Sequence, residues 1–343
     1  MSSSPQPFIQ LPPFPPASLG GGDASNLQQY LIFFIPGQPG PVAYYRTFLA
    51  SLHDYLSHAS SLKEQRSAQF EIFARNLSGI DEELIANGAA SEKPASSETS
   101  MSGEIQGAET ALLERVRALT AEQRDKPTNP APLKVLLVGH GAGAYVALEV
   151  LKRWQSGGLS EKGNLFDVAG TVCLFPSVQM KTVAGTVSQA VLSTLSSSAL
   201  LVHKSVKFLL FLVPSRALET LIKTTTGLSN NTIKVTSEMI GSEWGVYHAL
   251  KLWRSQMEDQ KNGRWDDAIC NSTAAARPPT YMLFSQNDGE PAIGRGQGKL
   301  EPIAGIPASQ LPDSFFTTQE DSESVAGLVK EYVEEIVRLD KRA

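Results

Sequence analysis

The stretch "VLLVGHGAGAYVAL" (Val135–Leu148) sets a run of apolar residues ahead of closely spaced glycines and then an apolar run at helical spacing. It reads as a buried strand, a glycine-rich turn and a helix. In a Gly-x-Ser-x-Gly nucleophile elbow the middle position carries a reactive hydroxyl, and the flanking glycines let the backbone make a strained strand-to-helix turn. Here the elbow residues are Gly139, His140 and Gly143, and the middle position is Gly141. The architecture of an elbow is present without its nucleophile.

Working outward, other strands and helices alternate around this one. "YLIFFIPG" (Tyr30–Gly37) is a continuous apolar run ending in Pro and Gly, the pattern of a parallel strand buried on both faces. "VAYYRTFLASLHDYL" (Val42–Leu56) follows at helical spacing, and "FEIFA" (Phe70–Ala74) is a second strand. "ETALLERVRALTAEQ" carries a helical stripe of Leu112, Val116 and Leu119. "GTVCLFPS" (Gly170–Ser177) and "TYMLFSQNDGEP" (Thr280–Pro291) continue the strands, and "SVAGLVKEYVEEIVRL" (Ser324–Leu339) is a closing amphipathic helix. Such alternation predicts an α/β fold with a mostly parallel sheet flanked by helices.

Residues 1–28 are rich in Pro, Ser and Gly and are expected to be a disordered tail, with a single domain over 29–343. Within that domain, about 87–107 reads as a flexible insertion, and about 178–276 as a helical, lid-like insertion over the strand ends. No strand stands out between Gly289 and Pro312, where a last core strand is expected.

The composition narrows the function classes. A net charge of −5 and a pI near 5.7 give no electrostatic reason to expect nucleic acid. Cys173 and Cys270 make no disulfide framework, and Cys173 reads as core. No cofactor or metal is expected. The N-terminus lacks the basic start and apolar run of a secretory signal, which favours the cytoplasmic side. Val183–Val202 is uncharged but too rich in Ser and Thr for a transmembrane span.

Several stretches together resemble the lipid-droplet-associated hydrolases, α/β-hydrolase-fold proteins linked to lipid storage and serine-esterase chemistry. They are "LIFFIPGQPGPVAYYRTFLASL", "KVLLVGHGAGAYVALEVLKR", "LFPSVQM", "YMLFSQNDGE" and "LPDSFFTTQ", in that order along the chain. The double Pro-Gly turn at Pro36–Gly40 is the most specific of them. The resemblance implies an α/β-hydrolase fold, a lipid-droplet location on the cytoplasmic side, extending to the endoplasmic reticulum surface, and a phospholipid monolayer and neutral-lipid ester as partners.

The chemistry of that family needs Ser, then an acid, then His in chain order, because a hydroxyl attacks only once an oriented imidazole takes its proton. Carried onto this chain, the nucleophile position holds Gly141, the acid position Asp288 and the His position Asp313. All five histidines, at 53, 58, 140, 203 and 248, precede Asp288. Losing a triad Ser or His alone costs about 10⁶-fold in turnover. The expected reading is a catalytically impaired member that binds rather than cleaves. The oxyanion donors of such a fold would be the amides of Ala142 and of Gly37 or Gln38. Asp288 also fits an ordinary Asn-Asp-Gly turn.

Two further readings stay open. One is an active esterase with a displaced nucleophile, such as Ser177, and His140 as its base. The other is nucleotide binding, since Gly139–Ala144 also fits a Gly-x-Gly-x-x-Gly/Ala fingerprint, although "GTVCLFPS" lacks the acidic residue that motif requires. For the lipid surface, Val183, Val187, Val191 and Leu195 recur every fourth residue. Phe208, Leu209, Leu210 and Phe211 follow between Lys207 and Arg216. Such a stripe suits a monolayer or a lid helix packed on the sheet.

Overall fold

The structure is a computed structural model that describes residues 8–13, 28–59, 68–77, 100–124, 132–157, 165–176, 228–242, 245–261, 278–284 and 311–342, with 204, 220 and 223. Its strands are β1 (Phe8–Leu11), β2 (Gln28–Ile35), β3 (Ala68–Arg75), β4 (Leu133–His140), β5 (Phe166–Leu174) and β6 (Thr280–Leu283). Its α-helices are α1 (Arg46–Ala59), α2 (Met101–Arg124), α3 (Ala142–Gln155), α4 (Asn230–Gly241), α5 (Gly245–Lys261) and α6 (Gln319–Asp340).

The strands form one sheet in the order β1-β3-β2-β4-β5-β6. β1 runs antiparallel to β3, and every other pair is parallel. Alternate residues of β2 explain its unbroken hydrophobicity. Tyr30, Ile32 and Phe34 face the layer that holds α1 and α6, whereas Leu31, Phe33 and Ile35 face α2 and α3. Each fully buried apolar side chain contributes about 1.5–3 kcal/mol, so a strand buried on both faces needs such residues at every position.

This topology places the site. The chain leaves β2 for β3 on one side and then crosses back to β4 on the other. In open α/β sheets, ligands bind outside the carboxyl ends of the strands at the point where the order reverses. The loop after β2 and the turn after β4 both lie at that point.

Two expectations need correction. The segment expected as a disordered tail includes β1, whose Ile9 is buried and whose Phe8 stacks on Phe73 at 5.8 Å. Its neighbour Pro12 is tolerated because an edge strand can spare an amide donor. The insertion expected to reach 107 ends earlier, because α2 begins at Met101. There Ser100 Oγ accepts from the Gly103 amide at 3.1 Å, and Met101, Ile105 and Ala108 extend the buried stripe. The insertion expected over 178–276 contains α4 and α5; the region between Gly289 and Pro312 lies outside the described residues.

α2 is clamped to the sheet by an ion pair. Arg115 Nε lies 2.6 Å from Glu71 Oε1, and the Glu71 side chain is 1% exposed. Removing the cation would strand a buried carboxylate. Arg115→Ala is therefore expected to destabilise the fold by about 3 kcal/mol, read as a lower urea midpoint, whereas truncating the exposed Glu122 should change it by less than about 0.5 kcal/mol.

Candidate functional site

β4 ends at His140 and α3 begins at Ala142, so Gly141 alone makes the turn. Its φ of 52° and ψ of −115° form a backbone conformation that a side chain adopts only under strain. Its amide donates to the Leu174 carbonyl at 2.9 Å, which ties the turn to the end of β5. The flanking glycines are needed for close packing. A Cβ on Gly139 would lie 2.3 Å from the Gly143 carbonyl oxygen, and one on Gly143 would lie 2.2 Å from that of Ile35. The elbow is therefore built, and its apex carries no hydroxyl.

His140 is buried behind the turn. The Gly37 amide donates to the Tyr45 hydroxyl at 3.1 Å, and that hydroxyl lies 2.7 Å from His140 Nδ1. The backbone carbonyl of Asp313 bonds the same imidazole. A carbonyl only accepts, so the ring's other nitrogen carries the proton and Nδ1 accepts from Tyr45. Burial pushes the His140 pKa down to about 4. With Nδ1 occupied and the second nitrogen donating, this neutral ring has no lone pair left to act as a general base.

Aromatic rings close around it. Phe315 lies edge-on to His140 at 5.2 Å, Phe316 at 5.7 Å, Tyr45 at 5.6 Å and Phe175 at 6.1 Å. Phe175 holds a φ of 43°, with its amide bonded to the Leu283 carbonyl at 2.7 Å. The loop after β2 is fixed by Asn76, whose Oδ1 accepts from the Val42 amide at 2.7 Å, and by the Leu77 amide bonded to the Gly40 carbonyl at 3.2 Å.

Of the residues singled out in the sequence, the structure sets Gly37 against His140, packs Gly139 on Gly143 and Gly143 on Ile35, and puts Gly141 and Ala142 in the turn between β4 and α3. The Gly37 amide donates to Tyr45, which leaves the expected loop donor to the Gln38 position of the sequence reading. Ala142 opens α3, where the first amides have no intrahelical partner. Asp313 is placed beside His140 through its carbonyl, while its side chain faces solvent. Asp288, Ser177, Val183, Val187, Val191, Leu195 and Phe208–Phe211 lie outside the described residues. Sequence reasoning missed Tyr45, Phe315, Phe316 and Asn76. The tandem aromatics "YY" and "FF", one just after the Pro-Gly turn and one just after Asp313, were the signal available.

The glycines weigh against the nucleotide reading. In a dinucleotide site they let backbone approach a pyrophosphate, whereas here Gly139 and Gly143 are filled by protein backbone. Among the described residues there is no cluster of His, Cys, Asp and Glu that could hold a metal, and no helix long and apolar enough to cross a membrane. Burial raises the Cys173 thiol pKa to about 12, as suits a packed core cysteine.

Two measurements follow from this geometry. Gly143→Ala should cost about 3 kcal/mol through its backbone clash, and Gly141→Ala about 1–3 kcal/mol through strain, both by urea titration. The imidazole has a folded pKa of about 4 against an ordinary 6.5. Below pH 6.5 the unfolded chain takes up a proton that the folded chain refuses, so stability falls with pH and the loss reaches about 3 kcal/mol near pH 4. Urea midpoints of His140→Gln across that range should fall less steeply than those of the wild type.

A family model described as "Lipid-droplet associated hydrolase" matches residues 28–290. The lipid droplet-associated hydrolase of Gallus gallus is 24% identical over 166 residues, which are 47% of this chain and 41% of the chicken protein. The match thus spans less than half of that relative's length. Among solved structures, the juvenile hormone epoxide hydrolase of the silkworm Bombyx mori has a TM-score of 0.53 at 13% identity, covering 97% of this chain and 76% of its own. The DBJA variant named "mutant dbja delta" has a TM-score of 0.56 at 12% identity, covering 96% and 95%. At such identities the likeness is one of fold, the α/β-hydrolase fold. With its family model matched over most of its length, the chain belongs to the lipid-droplet-associated hydrolase family.

Proposed function

We propose that this chain is a catalytically impaired member of its family, one that binds lipid at the droplet surface in neutral-lipid storage rather than cleaving esters. The observation that carries the reading is the turn after β4. Its apex is Gly141, and the adjacent imidazole has both nitrogens engaged, one by Tyr45 and one by the Asp313 carbonyl. Acyl transfer by a serine hydrolase needs a hydroxyl at that apex and a base within hydrogen-bond reach of it. Asp313, which holds the His position, turns its carboxylate to solvent and offers the site a carbonyl instead.

The retained half of the machinery supports binding. The oxyanion donors are proposed at the Gln38 and Ala142 amides, and the rings of Tyr45, Phe175, Phe315 and Phe316, which pack on one another, are proposed as the floor. Such a place suits the carbonyl end of an apolar molecule. The partners proposed are the phospholipid monolayer and a neutral-lipid ester. The location proposed is the droplet, reached from the cytoplasmic side, and also the endoplasmic reticulum surface. The lipid-facing stripe is proposed at Val183, Val187, Val191, Leu195 and Phe208–Phe211.

The test is ester turnover by the purified chain, covalent labelling by a serine-directed phosphonate, and flotation with phospholipid-coated triacylglycerol droplets. The expected result is no turnover, no label and recovery with the droplets. Gly141→Ser alone should remain at baseline, because a triad lacking its base loses about as much, about 10⁶-fold, as one lacking all its members. Wild-type turnover that disappears in Ser177→Ala or His140→Gln would overturn the reading in favour of a displaced active site.

A further inference from the structure

Two buried side-chain amides flank the loop after β2 without using their donors. Asn76 is 2% exposed, and its Oδ1 accepts from the Val42 amide at 2.7 Å. Because that N–H can only donate, the atom facing it is the oxygen, and the atom left over is the Nδ2 donor. Nδ2 has no hydrogen-bond partner, and neither has the buried Nε2 of Gln38. The two belong to one place. The Leu77 amide bonds the Gly40 carbonyl at 3.2 Å, which lays the loop on Asn76 and Leu77. Gln38 precedes Gly40 by two residues, a span of at most about 7 Å.

Neither nitrogen holds the fold together. A buried donor left unmade costs more than an average hydrogen bond contributes, so such a group calls for an occupant. A water there would need further polar partners for its own bonds, whereas the side chains next to Asn76, those of Val42 and Leu77, are apolar and buried. The surroundings favour an oxygen that carries negative charge, whole or partial. No acidic residue occurs from Pro36 to Tyr45. Arg75 Nε donates to the Asn76 carbonyl at 3.1 Å, which brings a cation to the same end of β3.

We infer that the Gln38 and Asn76 side-chain amides form an acceptor subsite at the carboxyl ends of β2 and β3, one that takes the carbonyl oxygen of an acyl group in a fatty acid or its ester. The subsite rests on the binding role proposed above for the acyl class of its ligand. Its atoms are side-chain nitrogens, distinct from the backbone amides of the oxyanion position.

Calorimetric titration of the full chain with decanoate and with glycerol monodecanoate tests the subsite in the wild type, Gln38→Met and Asn76→Asp. Methionine keeps the length of the side chain without its donor. Aspartate keeps an oxygen for the Val42 amide and puts an acceptor in place of Nδ2. The wild type is expected to bind, with a tighter affinity for decanoate assigning the subsite to a free acid and the reverse to an ester. Gln38→Met should weaken the ester about five-fold and the carboxylate more than about ten-fold, because hydrogen bonds to a charged group are stronger. Asn76→Asp should weaken decanoate the more through repulsion. The urea midpoint of ligand-free Gln38→Met should not fall below that of the wild type, since the lost amide made no bond. Unchanged affinities in Gln38→Met, a lower midpoint for it, or a wild type that binds neither ligand would overturn the proposal. Droplet flotation reads the binding role separately: a wild type that floats while Gln38→Met keeps its affinities overturns the subsite alone, and one that binds decanoate through Gln38 but does not float overturns the droplet role alone.

Discussion

A single buried imidazole joins three segments that are far apart in the chain. His140 takes a hydrogen bond from Tyr45, gives one to the Asp313 carbonyl, and presses so closely on Gly37 that a Cβ there would lie 2.6 Å from Nδ1. A polar ring in an apolar cage is stable only when its hydrogen bonds are made and its charge is absent. The loop after β2, the turn after β4 and the segment before α6 are therefore held together by the requirement that one ring stay neutral and bonded. The edge-on aromatic contacts of Phe315 and Phe175 pack around a ring fixed in this way.

Elbow packing and elbow chemistry depend on different atoms. The turn stays close because Gly139 and Gly143 let α3 approach β4 and the end of β2, and because the Gly141 amide bonds Leu174. None of these contacts involves a side chain at position 141. The N-terminus of α3 and the loop after β2 take their places from the sheet's crossover rather than from the apex residue. The geometry of the turn thus does not depend on the chemistry of the residue at its apex, and the proposed binding role draws on that independence.

Much of the fold was legible in the sequence because its central strands are extreme. β2 is apolar without a break from Tyr30 to Ile35 and β4 carries no polar side chain from Val135 to Gly139, a pattern that only a strand covered on both faces can use, and the helices α2 and α6 carry clear stripes. β1 was hidden because a four-residue strand is lost among prolines when composition is averaged over a window. The first turns of α2 were hidden for the same reason, since serine, alanine and glutamate suggest a linker until the spacing of Met101, Ile105 and Ala108 is set against a partner. In the site, Gly139, Gly141 and Gly143 were legible as local turn chemistry. Tyr45, Phe315 and Asn76 were not, because each acts on a residue distant in sequence, and nothing local marks a tyrosine as the partner of a histidine 95 positions later. The hydrogen bond between the Asp313 carbonyl and His140 is likewise visible only in three dimensions.

The apex residue also bears on stability. A side chain held at a φ of 52° and ψ of −115° stores about 1–3 kcal/mol of strain, which a working elbow tolerates because its hydroxyl must stand clear of the sheet. Glycine takes that conformation without the penalty. With Gly141 at the apex the turn is relaxed, and the packing of its neighbours is no longer opposed by strain. Under the proposed reading the apex glycine trades a strained, reactive turn for a relaxed one, in line with the general exchange of activity against stability at strained sites.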